Sequence, residues 1–216
     1  MTIDPDAVAS RMSLVRERAA VLGAPDVAVV AVTKSFGPEA IAAAHATGCD
    51  GMGENYAQEL LAKVPSIPAE LPVHFIGRLQ SNKVKSLSGI VSVWESVDRP
   101  GLVDEIAKRA GRGARVLLQV DTTGEASKGG CAPDQLDGLL ERARRAGLSV
   151  EGLMTVGPTG GTRTECAAAF GLLRRLADLR GLRECSMGMS DDWEIALAEG
   201  ATIVRLGSAL FGERPR

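Results

Sequence analysis

The sequence predicts a single α/β domain: eight parallel strands closed into a (β/α)8 TIM barrel, each strand followed by a helix, with one extra helix in front. Three observations point to it. Apolar β-branched runs alternate strictly with helix-period segments, an order that makes the strands parallel and the connections crossover helices. The stronger runs are continuous rather than alternating, as in strands buried on both faces. Eight such units fit within 216 residues, the short end of the range for this barrel. A doubly wound open sheet is the alternative, but the GxGxxG turn expected of a dinucleotide-binding sheet of that kind is missing from VTKSFGP after the first strand.

Each element has its own local signal. Asp4-Pro5 before AVASRMSLVRERAAVL reads as an N-cap, a first-turn proline and a helix. Val27 to Lys34 is strand one, and Gly37-Pro38 opens a helix over Glu39 to Thr47. Cys49 to Glu54 is strand two, and NYAQELLAKV its helix. Val73 to Gly77 is strand three with LQSNKVKSL after it, and Ile90 to Glu95 is strand four with PGLVDEIAKRA. Arg115 to Asp121 is strand five, followed by the loop TTGEASKGG and the helix APDQLDGLLERARRAG. Ser149 to Val156 is strand six, with a helix over Thr164 to Leu179. Glu184 to Met189 is strand seven, and SDDWEIALAEG a short helix capped by Ser190-Asp191-Asp192. Thr202 to Leu206 is strand eight, followed by GSALFG. No linker or second domain interrupts residues 1–216.

Composition narrows the function classes. Twenty-five basic and 27 acidic residues give a net charge of -2 and are interspersed, so neither a nucleic-acid footprint nor a membrane-surface patch is expected. Cys49, Cys131, Cys166 and Cys185 are widely spaced, which argues for reduced thiols and against a zinc site or disulfide framework. With no secretory pattern at the start and no apolar run of membrane-spanning length, a cytoplasmic protein is expected.

In such barrels the C-terminal ends of the strands build the site. Lys34 ends the most apolar segment of the first third of the chain. Partial burial disfavours the charged amine, and a neutral amine attacks carbonyls to form a Schiff base; taken alone, the stretch fits a lysine that snorkels to solvent better. Ser186-Met187-Gly188 and Arg205 with Gly207-Ser208 end strands seven and eight, whose loops often bind phosphate in this fold. Glycine lets backbone amides approach an anion and serine adds a hydroxyl; a plain helix-start turn is the alternative there. A phosphate pocket opposite a lysine suggests a phosphorylated carbonyl ligand, of which pyridoxal 5′-phosphate is the commonest.

The segments AVTKSFGPEAI, GENYAQEL, HFIGRLQSNKVK, GLMTVGP and SMGMSDDWEIALAEGATIVRLGSALFGERP, in this order, closely resemble the pyridoxal phosphate homeostasis proteins, which look like the N-terminal barrel of alanine racemase standing alone. The resemblance runs from about residue 27 to the C-terminus. It implies a barrel holding pyridoxal 5′-phosphate without an established reaction. By the same resemblance Lys34 matches the Schiff-base lysine, Asn55 a residue lining the cofactor, Ser186, Gly207 and Ser208 the phosphate cradle, and Arg205 the residue facing the pyridine nitrogen. Ser35-Phe36-Gly37 stands where a Lys-Pro pair is usual, and Cys185 where leucine is usual.

Arginine offers only donors. Facing the ring nitrogen, Arg205 would keep it unprotonated and a poor electron sink; an arginine paired with a barrel-interior acid is the competing reading. Racemisation also needs a second acid/base, which in alanine racemase is a tyrosine from a second domain; the one tyrosine here, Tyr56, reads as packing at a helix start. The expectation is therefore a monomeric carrier or buffer of pyridoxal 5′-phosphate that delivers it to apoenzymes, with no catalytic residue and no metal. A weak amino-acid racemase and a Lys34 Schiff-base aldolase are the enzyme alternatives. His74 reads as a satisfied core histidine or a general base, and Asp121 as a loop cap or an orienting acid. Lys128 reads as a solvated loop amine or a secondary aldehyde site, and Met187 and Met189 as core filler. Gln80, Asn82 and Lys83 open a helix at the site rim without an assigned role.

Overall fold

The computed structural model describes residues 3–213; the first two residues and the last three, with the end of the FGERP segment, lie outside them. Helix α1 (Pro5–Val21) starts where the sequence places it, the Asp4 carboxylate accepting the amides of Asp6 at 3.0 Å and Ala7 at 3.4 Å. Strands β1 (Ala28–Val32), β2 (Gly51–Glu54), β3 (Val73–Phe75), β4 (Val93–Val97), β5 (Arg115–Gln119), β6 (Ser149–Met154), β7 (Glu184–Ser186) and β8 (Ile203–Leu206) follow. All pair in parallel with their sequence neighbours, and β1 closes onto β8, forming a barrel. The crossover helices are α2 (Pro38–Ala46), α3 (Ala57–Lys63), α4 (Ser81–Leu87), α5 (Pro100–Ala110), α6 (Leu136–Arg145), α7 (Arg163–Asp178) and α8 (Trp193–Ala198), and α9 (Ser208–Phe211) follows β8.

Two apolar regions form. The larger lies between the strands and the helical ring, and Val8, Met12, Val15 and Ala19 of α1 join it. The smaller is inside the barrel, where Val30, Val93, Leu117, Met154 and Ile203 pack together. Among the described residues, no helix is long and apolar enough to cross a membrane.

Differences from the sequence reading fall mainly at element ends. Ile90 and Val91 are not strand: both amides bond back to the Leu87 carbonyl as a turn closing α4. Strand β4 starts at Val93, where pairing with Arg115 begins, and runs through Glu95 to Val97. Glu95 is thus inside a strand, fully buried, rather than at its tip. Strand β1 ends at Val32, so Lys34 stands in the turn beyond it. Helix α7 begins at Arg163 because Thr162 and Glu165 form a capping box.

Candidate functional site

Register fixes what surrounds the first strand. Val32 pairs with Gly53 of β2 and Ala31 with Leu206 of β8, so Asn55 and Gly207-Ser208 emerge on either side of the Lys34 turn. Lys34 is half-buried. Its neighbour Ser35 has φ of 66°, a left-handed conformation uncommon outside glycine and asparagine. The Ser35 amide donates to the Glu59 carboxylate of α3 at 2.5 Å, and Phe36 closes the turn onto the Thr33 carbonyl at 3.0 Å.

A buried cation lies beneath that turn. Lys63 Nζ donates to the Thr33 carbonyl at 2.8 Å, to Glu54 Oε1 at 2.7 Å and to Glu59 Oε1 at 2.8 Å, and Thr33 Oγ1 donates to Glu54 Oε1 at 2.6 Å. Burial raises the Glu54 carboxyl above its ordinary value, against the opposing pull of Lys63 and Thr33. Glu54 Oε2 is buried with no partner among the described residues. Sequence reasoning missed Lys63 and Glu59: at i,i+4 on a short helix they look like a solvated ion pair.

Inside the barrel, four strands contribute one polar chain. Arg205 Nη1 donates to Ser186 Oγ at 2.7 Å and Nη2 to the Thr155 carbonyl at 2.7 Å. Ser186 Oγ donates to Glu95 Oε2 at 2.6 Å, and His74 Nδ1 meets Glu95 Oε1 at 2.6 Å. Arg205 and Glu95 lie 3.9 Å apart. Burial pulls the Arg205 guanidinium below its ordinary value. Burial pushes Glu95 up, but His74, Arg205 and Ser186 outweigh it and hold the carboxyl below its ordinary value. The interior-acid pairing weighed for Arg205 is thus present, and His74 is a satisfied interior histidine.

The cradle residues separate. Ser186 turns its hydroxyl into the barrel, where Glu95 and Arg205 use it as both donor and acceptor, so it does not meet the turn after β8. Ser190 does: its Oγ accepts the amides of Gly207 at 3.2 Å and Ala209 at 3.0 Å. Two backbone donors converging on one oxygen are what an anion's oxygen needs. Gly207 is buried and Ser208 exposed. Read from sequence as a cap for the next helix, Ser190 instead reaches across to the β8–α9 turn. Helix α8 has no side-chain cap, because Asp192 spends its carboxylate on the Met189 amide at 2.6 Å; burial pushes that carboxyl up.

Other candidates resolve structurally. Lys128 is not a solvated amine: its side chain is 12 % exposed, and it donates to Glu125 Oε1 at 2.7 Å and to the Gly157 carbonyl. Asp121 caps its own loop, accepting from the Thr123 amide and hydroxyl and the Gly124 amide. Met187 is buried, whereas Met189 is 39 % exposed and not core filler. Tyr56 stands at the start of α3 as expected but does not pack there, being 59 % exposed. The four cysteines are free and buried; burial pushes the thiols of Cys49, Cys131 and Cys185 to about 11. Among the described residues, no group of three potential ligands is placed to hold a metal.

The chain matches the family model described as alanine racemase, N-terminal domain, over residues 3–215. It is 43% identical over 196 residues to a pyridoxal phosphate homeostasis protein of Pseudomonas aeruginosa, covering 87% of this chain and 85% of that one. Its counterpart in Aquifex aeolicus is 42% identical over 197 residues, covering 86% of each. A structure of PipY from Synechococcus elongatus with PLP bound superposes with a TM-score of 0.77 at 36% identity, covering 92% of this chain and 100% of that one. Alanine racemase from Corynebacterium glutamicum shares the fold, with a TM-score of 0.76 at 17% identity, over 99% of this chain and 62% of that one.

Proposed function

This chain belongs to the pyridoxal phosphate homeostasis protein family, and on that premise we propose that it binds pyridoxal 5′-phosphate at the C-terminal rim of its barrel and carries it without turnover. One observation supports this most: the Lys34 turn stands between Asn55 on one flank and the Gly207 and Ala209 amides, converging on a single oxygen, on the other. When bound, the cofactor supplies an aldehyde that condenses with an amine and a pyridine ring that withdraws electrons once its nitrogen is protonated.

In this reading Lys34 takes the aldehyde, Asn55 lines the ring, and Gly207 and Ser208 hold the phosphate, an oxygen of which takes the place of Ser190 Oγ at the Gly207 and Ala209 amides. Ser186 serves indirectly by fixing Arg205. Arg205 donates and never accepts, so opposite the ring nitrogen it disfavours the protonated ring that carbanion chemistry needs. Its orientation is set by the Ser186 hydroxyl and the Thr155 carbonyl, and its charge is offset by Glu95. A monomer in the cytoplasm, handing its ligand to apoenzymes, fits the four buried free thiols and an open rim.

The test is an absorbance spectrum of the purified protein with added pyridoxal 5′-phosphate, then borohydride reduction and peptide mapping. A visible band with the adduct confined to Lys34, and no racemisation of amino acids above the rate of the free cofactor, is the expected result. An adduct scattered over surface lysines removes the binding site; turnover above the free cofactor removes the carrier.

A further inference from the structure

A second opening lies apart from Lys34. It is a cleft of about 830 Å³ at the same barrel rim, among the loops after β2, β3 and β4. Neither Lys34, Arg205, Gly207 nor Ser208 lines it. It brings together two blocks of sequence, Asn55 to Gln58 and Arg78 to Lys83. The second of these includes Gln80 and Lys83, which had no assigned role. A volume of this size suits one small organic ligand, the usual range being about 300–1,000 Å³.

The lining is chemically lopsided. The side chains of Arg78 and Lys83 make no hydrogen bond or ion pair with any other described residue. The third cation, Arg99, is already committed, donating to Asp98 at 2.6 Å and to the Leu79 carbonyl at 2.7 Å. That pairing also neutralises Asp98, the cleft's one acid. Two uncompensated positive charges therefore face the cleft, and an anion, above all a phosphate, satisfies them.

The second half of the lining is aromatic and amide. Tyr56 is 59 % exposed, in a chain with only seven Phe, Trp and Tyr residues in all. Its ring is a stacking face of the kind that planar heterocycles use. Phe75 and Leu79, both buried, form an apolar floor. Gln58 and Gln80 line the cleft with side-chain amides, which pair with the mixed donor and acceptor edges of heterocycles. Between them and the Lys34 turn lies Asn55, its Oδ1 shut away from solvent with no partner among the described residues. Its position is fixed by the backbone: a Cβ on Gly77 would fall 2.0 Å from the Asn55 carbonyl oxygen, so only glycine lets the end of β3 lie against it.

We propose that this cleft binds a phosphorylated planar heteroaromatic molecule, with its phosphate at Arg78 and Lys83 and its ring on Tyr56. Nucleoside monophosphates and phosphorylated pyridines share that chemistry. The cleft adjoins the proposed Lys34 site through Asn55, which lines both, while Arg78, Lys83 and Tyr56 belong to the cleft.

The experiment is calorimetric titration of the full chain with AMP, with pyridoxine 5′-phosphate, and with ribose 5-phosphate, which lacks the aromatic ring. Before titration the Lys34 site is filled with pyridoxal 5′-phosphate and fixed by borohydride, so that pyridoxine phosphate cannot enter it. AMP is also titrated into untreated protein, which keeps the test independent of whether fixation succeeds. One aromatic phosphate is expected to bind at least about tenfold more tightly than ribose 5-phosphate, as one base-stacking contact provides. Tighter AMP binding assigns the cleft to nucleotides, and tighter pyridoxine phosphate binding to a B6 phosphate. Arg78→Gln with Lys83→Gln is expected to weaken binding by at least about tenfold through loss of charge-assisted contacts. Tyr56→Leu is expected to erase the preference over ribose 5-phosphate. No binding of either aromatic phosphate at millimolar concentration, equal binding of ribose 5-phosphate, or full affinity in the Arg78/Lys83 variant overturns the proposal.

Discussion

The Ser35 amide and the Glu59 carboxylate meet at 2.5 Å, tying the turn that carries Lys34 to helix α3. The same carboxylate oxygen accepts from buried Lys63, which also holds the Thr33 carbonyl and Glu54. The lysine proposed to take the cofactor thus stands on a clamp of two acids and one buried cation, of which Glu54 alone ends a strand and Glu59 and Lys63 come from α3.

Removing the cation is expected to be costly. Lys63→Met leaves Glu54 and Glu59 without their shared partner, and breaking a buried pair from one side destabilises by about 3–5 kcal/mol. Urea unfolding of the full chain measures it. The double variant Lys63→Met with Glu54→Gln is expected to recover much of the loss, since no buried charge at Glu54 is then left uncompensated.

Ser35 offers a second test of the clamp. A β-branched residue is poorly tolerated at φ of 66°, so Ser35→Val is expected to destabilise by about 1–2 kcal/mol. Ser35→Gly, free of that strain, is expected to stay within about 1 kcal/mol of the parent, because the relief is offset by the greater freedom of the unfolded chain. Thermal unfolding of the pair gives the comparison. Equal melting temperatures for the two variants would show that the left-handed turn imposes no constraint.

The interior carboxylates predict opposite responses to pH. The folded value of Glu95 lies below the ordinary 4.5. Its contribution to stability is complete above 4.5 and is lost as pH falls through the lowered folded value. The folded value of Glu54 lies above 4.5, so its part of the stability declines as pH rises from 4.5 to that raised value. Glu95→Gln, which also leaves Arg205 without its acid, is expected to unfold more readily at neutral pH and to show a flatter acid limb than the parent. Glu54→Gln is expected to steepen the acid limb, by removing the only opposing slope of this pair. Denaturant midpoints between pH 2 and 7 read both.

Ser190 carries the fourth prediction. Ser190→Ala strips the acceptor from the Gly207 and Ala209 amides and is expected to cost about 1–3 kcal/mol without ligand, as for a donor left unsatisfied. A phosphate oxygen seated there restores an acceptor. Pyridoxal 5′-phosphate is therefore expected to raise the melting temperature more in Ser190→Ala than in the parent. An equal or smaller rise would place the phosphate away from these amides.

The strand order and the barrel were legible because continuous β-branched runs and helix-period segments are local patterns, repeated eight times. Lys34 was legible for the same reason, as a charge at the tip of an apolar run. Arg205 was visible as a charge in TIVRL, but the interior acid beside it was not. That acid is Glu95, which the sequence reading places at a strand end. Its partners come from β3, β7 and β8, up to 110 residues away. Ser190 was read as a local cap since SDD before a helix has that form, yet its hydroxyl answers amides 17 and 19 residues on.

By itself, then, the sequence determined the alternation of elements, the barrel they close into, and the rim where Lys34, Asn55 and Gly207-Ser208 gather. Only the tertiary structure decided which charges are paired: Lys63 beneath the Lys34 turn, Glu95 beside Arg205, and Arg78 and Lys83 left uncompensated in a cleft. Periodicity is written into neighbouring residues. The cost of burying a charge is set by groups that meet it only after the barrel has closed.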